Sequence, residues 1–142
     1  MESQTQALNR REPQRAPSRI LVVEDDANSR EGLRGLLAAG GHQVETAADG
    51  WQAIERIKQD RYALAIVDLD LPVVHGIAVD GWDVARILRA FHPGIAILLV
   101  SARGGEEVER AARQLGLSFL EKPLDVAGLR LALTRLVPQG AG

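Results

Sequence analysis

The chain has 142 residues, 46% of them hydrophobic, enough for one core, since single domains run about 100 to 200 residues. Seventeen Lys+Arg against nineteen Asp+Glu leave a formal net charge of −2, which excludes a strongly basic nucleic-acid binder. No cysteine is present, so a disulfide scaffold, a thiolate metal site and cysteine catalysis are excluded together.

Residues Met1 to Ser18 are polar, carry Pro13 and Pro17, and contain a single large aliphatic residue, Leu8. They cannot bury enough apolar surface to offset ordering, and the expectation is a flexible extension over 1–18, a domain over 19–137 and a tail over 138–142. The start lacks the apolar stretch of a signal peptide, because Arg10-Arg11 is followed by Glu12-Pro13. The longest apolar run, Ile95 to Val100, is six residues, against roughly 18 for a membrane helix. The expected setting is cytoplasmic, without membrane contact.

From Arg19 onward, short apolar runs alternate with segments of helical period. Ile20 to Val23 predicts a first strand. Asn28, with Glu31 three residues on, predicts a helix start, Leu33, Leu36 and Leu37 its apolar face, and Gly40-Gly41 its stop. Gln43 to Ala47 reads as a second strand, and Gly50 to Asp60 as a helix carrying Ile54 and Ile57. Ala63 to Val67 has no alternation, which suits a parallel strand covered on both faces. After a loop to about Asp80, Val84, Ile87, Leu88 and Phe91 mark a helix that His92-Pro93-Gly94 ends. Ile95 to Val100 is a fourth strand, Val108 to Leu115 a helix, Leu117 to Leu120 a fifth strand and Val126 to Leu136 a last helix. Strict alternation argues a parallel sheet with helices on both faces, and chemistry in such folds sits at the strands' carboxyl ends.

Those ends are chemically loaded. The first strand runs into Glu24-Asp25-Asp26, the third into Asp68-Leu69-Asp70, the fourth into Ser101-Ala102 and the fifth into Glu121-Lys122-Pro123. Carboxylates from two strands at one edge repel, and the usual remedy is a divalent cation with oxygen ligands, here Mg²⁺. A lysine and a hydroxyl beside them add a cation and a donor, which a transferring phosphoryl group requires. Asp is then a plausible nucleophile, forming an aspartyl phosphate.

At this point the chain resembles the receiver domains of bacterial two-component response regulators. The resemblance spans Arg19 to about Val137 and rests on four stretches in order: Ile20 to Asp26, Ala65 to Pro72, Leu98 to Ala102 and Phe119 to Pro123. It implies a flavodoxin-like (βα)5 fold, a doubly wound five-stranded parallel sheet in the order 2-1-3-4-5. It implies that Asp68 accepts the phosphoryl group, with Glu24 and Asp25 around Mg²⁺, Asp25 as direct ligand and Asp70 offering its backbone carbonyl. Ser101 would be the switch hydroxyl, Lys122 the cation that pairs with the phosphoryl group, and Lys122-Pro123 a cis peptide. Phe119 holds the aromatic switch position, where fixed core and moving switch stay open as readings. The implied donor is a sensor histidine kinase or phosphotransfer protein, and the implied output a protein-binding surface whose partner the sequence does not name. Pairing of two copies through the fourth helix, fifth strand and fifth helix is left open.

Two departures stand out. Val73 to Asp80 adds about five residues where the family has a short loop, and its apolar character suggests packing over the acceptor edge or against a partner, with a tolerated insertion as the alternative. Asp70 puts extra negative charge near the acceptor, suited to orienting a water, with Arg103 placed to offset it. Trp51 and Trp82 read as packing on helix starts, and His42, His75 and His92 as too separated for a metal site. With five residues after Val137, the expectation is a stand-alone regulator without direct DNA binding, unless the chain is a fragment. The alternative is a phosphorylation-independent interaction module of the same fold. A hydrolase of the haloacid-dehalogenase type is disfavoured because Pro72 stands at the fifth place of Asp68-Leu69-Asp70 and because Glu24 and Asp25 precede the nucleophile.

Overall fold

A computed structural model describes residues Ser18–Val137, so the expected extension, apart from Ser18, and the tail over 138–142 lie outside the described residues. The elements are β1 (Arg19–Val23), α1 (Ala27–Ala39), β2 (Gln43–Ala47), α2 (Gly50–Gln59), β3 (Leu64–Asp68), α3 (Gly81–Phe91), β4 (Ala96–Ser101), α4 (Glu106–Gln114), β5 (Ser118–Glu121) and α5 (Val126–Leu136). All strand pairs are parallel, in the order β2-β1-β3-β4-β5. This is the flavodoxin-like doubly wound sheet the sequence implies.

Side chains alternate across the sheet, so each strand feeds two cores. Leu21, Val23, Ala65, Val67, Ile97 and Leu99 face α2, α3 and α4 through Ala53, Ile57, Val84, Leu88 and Ala112. Ile20, Val22, Leu64, Ile66, Leu98 and Val100 face α1 and α5 through Leu37 and Leu129. The central strands are therefore buried on both sides, and each such side chain contributes about 1.5 to 3 kcal/mol relative to exposure.

Four helices start on an aspartate whose carboxylate accepts a backbone N–H three residues on: Asp26 from Ser29, Asp49 from Gln52, Asp80 from Asp83 and Asp125 from Gly128. The first of these corrects the expected start at Asn28. Asp26 directly follows the loop from β1 and reaches the free N–H of Ser29 first, while Glu31 pairs with Arg34 instead of reaching back. Asp80 and Asp83 form a reciprocal capping box. The helix α4 has no side-chain cap, and Glu106, Glu107 and Glu109 in its first turn meet the positive end of its dipole instead.

Candidate functional site

The carboxyl edge of the sheet gathers the residues that the strand ends bring there. The ladder runs past the strands: Glu24 N–H donates to the Ala47 carbonyl at 3.0 Å, Leu69 N–H to Val100 at 2.9 Å and Lys122 N–H to Ser101 at 2.8 Å. These bonds fix Glu24, Asp68, Ser101 and Lys122 at one rim. Glu24, Asp68 and Ser101 are the buried polar residues among those described.

Lys122 is the hub. Its Nζ lies 2.6 Å from Glu24 Oε1 and 2.6 Å from Asp68 Oδ2. The second oxygen of each acid takes a backbone donor, Asp26 N–H on Glu24 at 3.1 Å and Asp70 N–H on Asp68 at 2.8 Å. Burial pushes the Glu24 carboxyl above its usual range, against the opposing pull of the Lys122 and Asp26 hydrogen bonds. Burial also works against the Lys122 ammonium, but its hydrogen bonds and charge pairing with Asp68 and Glu24 outweigh that and raise its pKa. The Lys122-Pro123 peptide is cis.

Carboxylate oxygens of Glu24, Asp25 and Asp68 all lie within 4.8 Å of one another. One ammonium does not balance three carboxylates, and the donor set is hard oxygen with no nitrogen or sulfur, so these residues fit a divalent cation such as Mg²⁺. Arg30 does not supply the missing charge at the carboxylates: its guanidinium donates to the backbone carbonyls of Glu24 and Asp25 at 3.0 and 3.2 Å.

On the other side of Asp68, Ser101 Oγ donates to Asp70 Oδ2 at 3.0 Å and accepts from Arg103 N–H at 3.0 Å, while Arg103 Nη2 reaches Asp70 Oδ1 at 3.0 Å. The charge offset expected of Arg103 is therefore a direct ion pair. The hydrogen bond from Ser101 to Asp70 was not legible in the sequence; its signal was the shared offset, Asp70 and Arg103 each standing two residues past a strand-end residue.

Comparison with known proteins decides the family. The model for the response regulator receiver domain matches residues 20–134. The chain belongs to the response regulator receiver family. Response regulator MprA of Mycolicibacterium vanbaalenii is 36% identical over 132 residues, covering 89% of this chain and 55% of that protein. MprA of Mycobacterium tuberculosis is 35% identical over 128 residues, covering 87% and 54%. The chain thus spans about half the length of the curated relatives it matches. Among solved structures, the Vibrio cholerae chemotaxis protein CheY4 superposes with a TM-score of 0.76 at 26% identity, covering 86% of this chain and all of that one. NtrX of Brucella abortus gives 0.75 at 29% identity, covering 85% of this chain and 27% of that one. Receiver domains are phosphoacceptor signalling domains rather than classical enzymes, and switching by phosphorylation is their general function.

In this receiver the 73–80 loop makes a small turn. Val74 and Ile77 form an antiparallel bridge, with N–H···O distances of 3.3 and 3.2 Å, around His75 and Gly76, both at positive φ. Leu71 and Val79 pack against the core, but Val73 and Ile77 at the tip are 62% and 55% exposed. Of the two packing readings, the tip itself is not folded down on the acceptor edge. The loop's anchor is Gly81, where a Cβ would run into the Asp68 carbonyl and lie 2.6 Å from Leu69 Cα. Phe119 is half-buried against the α2–α3–α4 core. Trp82 packs on that same core, whereas Trp51 is more than a third exposed. Among the described residues no helix is long and apolar enough to cross a membrane.

Proposed function

We propose that residues 19–137, with the insertion at about 73–80, form a receiver domain in which Asp68 accepts a phosphoryl group from the phosphohistidine of a sensor histidine kinase or phosphotransfer protein. The observation that carries this is the meeting of Lys122 with Asp68 and Glu24 at 2.6 Å, beside Asp25. As the histidine N–P bond breaks, its electron pair returns to the imidazole and an Asp68 oxygen forms the new O–P bond. Lys122 then pairs with the phosphoryl oxygens, and the Ser101 hydroxyl supplies a donor to them. Glu24, Asp25, Asp68 and the Asp70 carbonyl would hold Mg²⁺, which when bound neutralises charge developing on the phosphoryl group. The dianion on Asp68 biases Ser101, and through it the neighbourhood of Phe119, toward a second packing of the α4–β5–α5 face. That face would carry the response to a downstream protein or to a second copy. The cytoplasmic setting expected from the sequence, without DNA contact by this domain, belongs to the same proposal.

Incubation with Mg²⁺ and acetyl phosphate, followed by intact-mass measurement, tests it. The expected result is the gain of one phosphoryl group that Asp68→Ala abolishes. No gain, together with no binding of beryllofluoride, would leave the phosphorylation-independent interaction module as the function.

A further inference from the structure

We propose that Asp70 is a positioning residue that holds the Ser101 hydroxyl in the unphosphorylated arrangement and so sets how readily this receiver switches. The inference rests on the phosphoacceptor reading of Asp68. Ser101 is buried, and its hydroxyl has one proton to give. That proton goes to Asp70 Oδ2 at 3.0 Å, while Ser101 Oγ itself accepts from Arg103 N–H at 3.0 Å, so both sides of the hydroxyl are engaged. A phosphoryl group on Asp68 offers only acceptors. Ser101 cannot donate to it without releasing Asp70.

The release is not prohibitive, because Asp70 keeps a second partner. Its Oδ1 stays 3.0 Å from Arg103 Nη2, and its side chain is 44% exposed, so the freed oxygen meets water. Through its backbone N–H, 2.8 Å from Asp68 Oδ1, the same residue also orients the acceptor carboxylate. Asp70 therefore touches both partners of the exchange, the carboxylate that is modified and the hydroxyl that must move. Its charge alone would also repel an anion at Asp68, and the experiment has to separate that effect from the hold on Ser101.

Beryllofluoride affinity in Mg²⁺ would be measured by calorimetry on the whole chain as wild type, Asp70→Ala, Ser101→Ala and the double variant, each checked for a cooperative thermal transition. Loss of a hydrogen bond to a half-exposed carboxylate predicts that Asp70→Ala tightens binding about three- to tenfold more in the Ser101 background than in the Ser101→Ala background. Ser101→Thr, which keeps a hydroxyl, should restore the difference. An equal factor in all backgrounds would show that Asp70 acts through charge only and would overturn the proposal. Binding by Asp70→Ala but by neither wild type nor the double variant would support it in its strongest form, and equally tight binding by Asp70→Ala and the double variant would overturn it. Failure of all four proteins to bind would remove the phosphoacceptor reading and the proposal with it, an outcome distinct from a flat cycle among proteins that bind.

Discussion

Lys122 Nζ lies 2.6 Å from Asp68 Oδ2, joining residues 54 positions apart from the ends of β5 and β3 across the intervening β4. The pair exists because a parallel sheet puts every strand's carboxyl end on one edge. It also leaves that edge with more carboxylate than ammonium, and the consequences are measurable.

Glu24 has its pKa raised, mainly by burial, so its charged form is disfavoured in the folded state. A raised folded-state value means stability that is full below the unfolded carboxyl pKa of about 4.3 and declines as pH rises through the folded one. At neutral pH in a chelator, Glu24→Gln should therefore melt higher than wild type. Added Mg²⁺ should stabilise wild type more than the variant, which keeps Asp25 and Asp68 but lacks one carboxylate of the cluster. Thermal melts with and without Mg²⁺ check both signs, and a lower melting temperature for the variant would refute the argument.

The tip of the 73–80 loop holds Val73 and Ile77 in water, and the anchors at Val79 and Gly81 lie outside it. Shortening a loop changes closure entropy by only about 0.6 kcal/mol per factor of two in length. Deletion of Val73 to Ile77 should change the unfolding free energy from chemical denaturation by less than about 1 kcal/mol and leave labelling by acetyl phosphate intact. A loss of labelling would show that the loop shapes the acceptor edge after all.

At Gly81 the opposite holds. A methyl group there must displace the backbone of Asp68 and Leu69. Gly81→Ala should cost about 1 to 3 kcal/mol in urea unfolding, and any folded fraction should take phosphoryl more slowly, because the displaced atoms belong to the acceptor. An unchanged midpoint would mean that the β3–α3 junction yields more easily than its packing implies.

Away from the site, Tyr62 is buried and its hydroxyl donates to Glu45 Oε1 at 2.8 Å; burial first, then that hydrogen bond, raises its pKa. The unfolded chain loses the phenolic proton near pH 10 while the folded chain keeps it. The stability advantage of wild type over Tyr62→Phe should hold below about pH 10 and shrink above it, by at most about 1.4 kcal/mol per pH unit. Paired melts from pH 8 to 11 check this, and parallel curves would rule it out.

Much of the fold was legible because its signals are local. Uninterrupted apolar runs such as Ala63 to Val67 announce strands covered on both faces, and Val84, Leu88 and their neighbours announce a helix by spacing alone. The α1 start differs from the expected one since Asn28 and Asp26 both make acceptable caps, and only the path out of β1 decides which side-chain oxygen reaches a free N–H. In the loop, composition shows that Val73 and Ile77 are apolar but not that the Val74–Ile77 backbone bridge leaves both of them exposed.

By itself the sequence determined the order of strands and helices, the acids, hydroxyl and lysine that end the strands, and through their order the family. Those properties follow from side-chain periodicity and from which residue comes next in the chain. Tertiary structure alone decided which oxygen each donor takes. Ser101 stands at the same rim as the Asp68 and Asp70 carboxylates, and its proton goes to Asp70, with Arg103 binding both Ser101 and Asp70 from the loop after β4. Such a choice depends on distances of a few tenths of an ångström between segments about 30 residues apart, and no local pattern in a sequence carries that information.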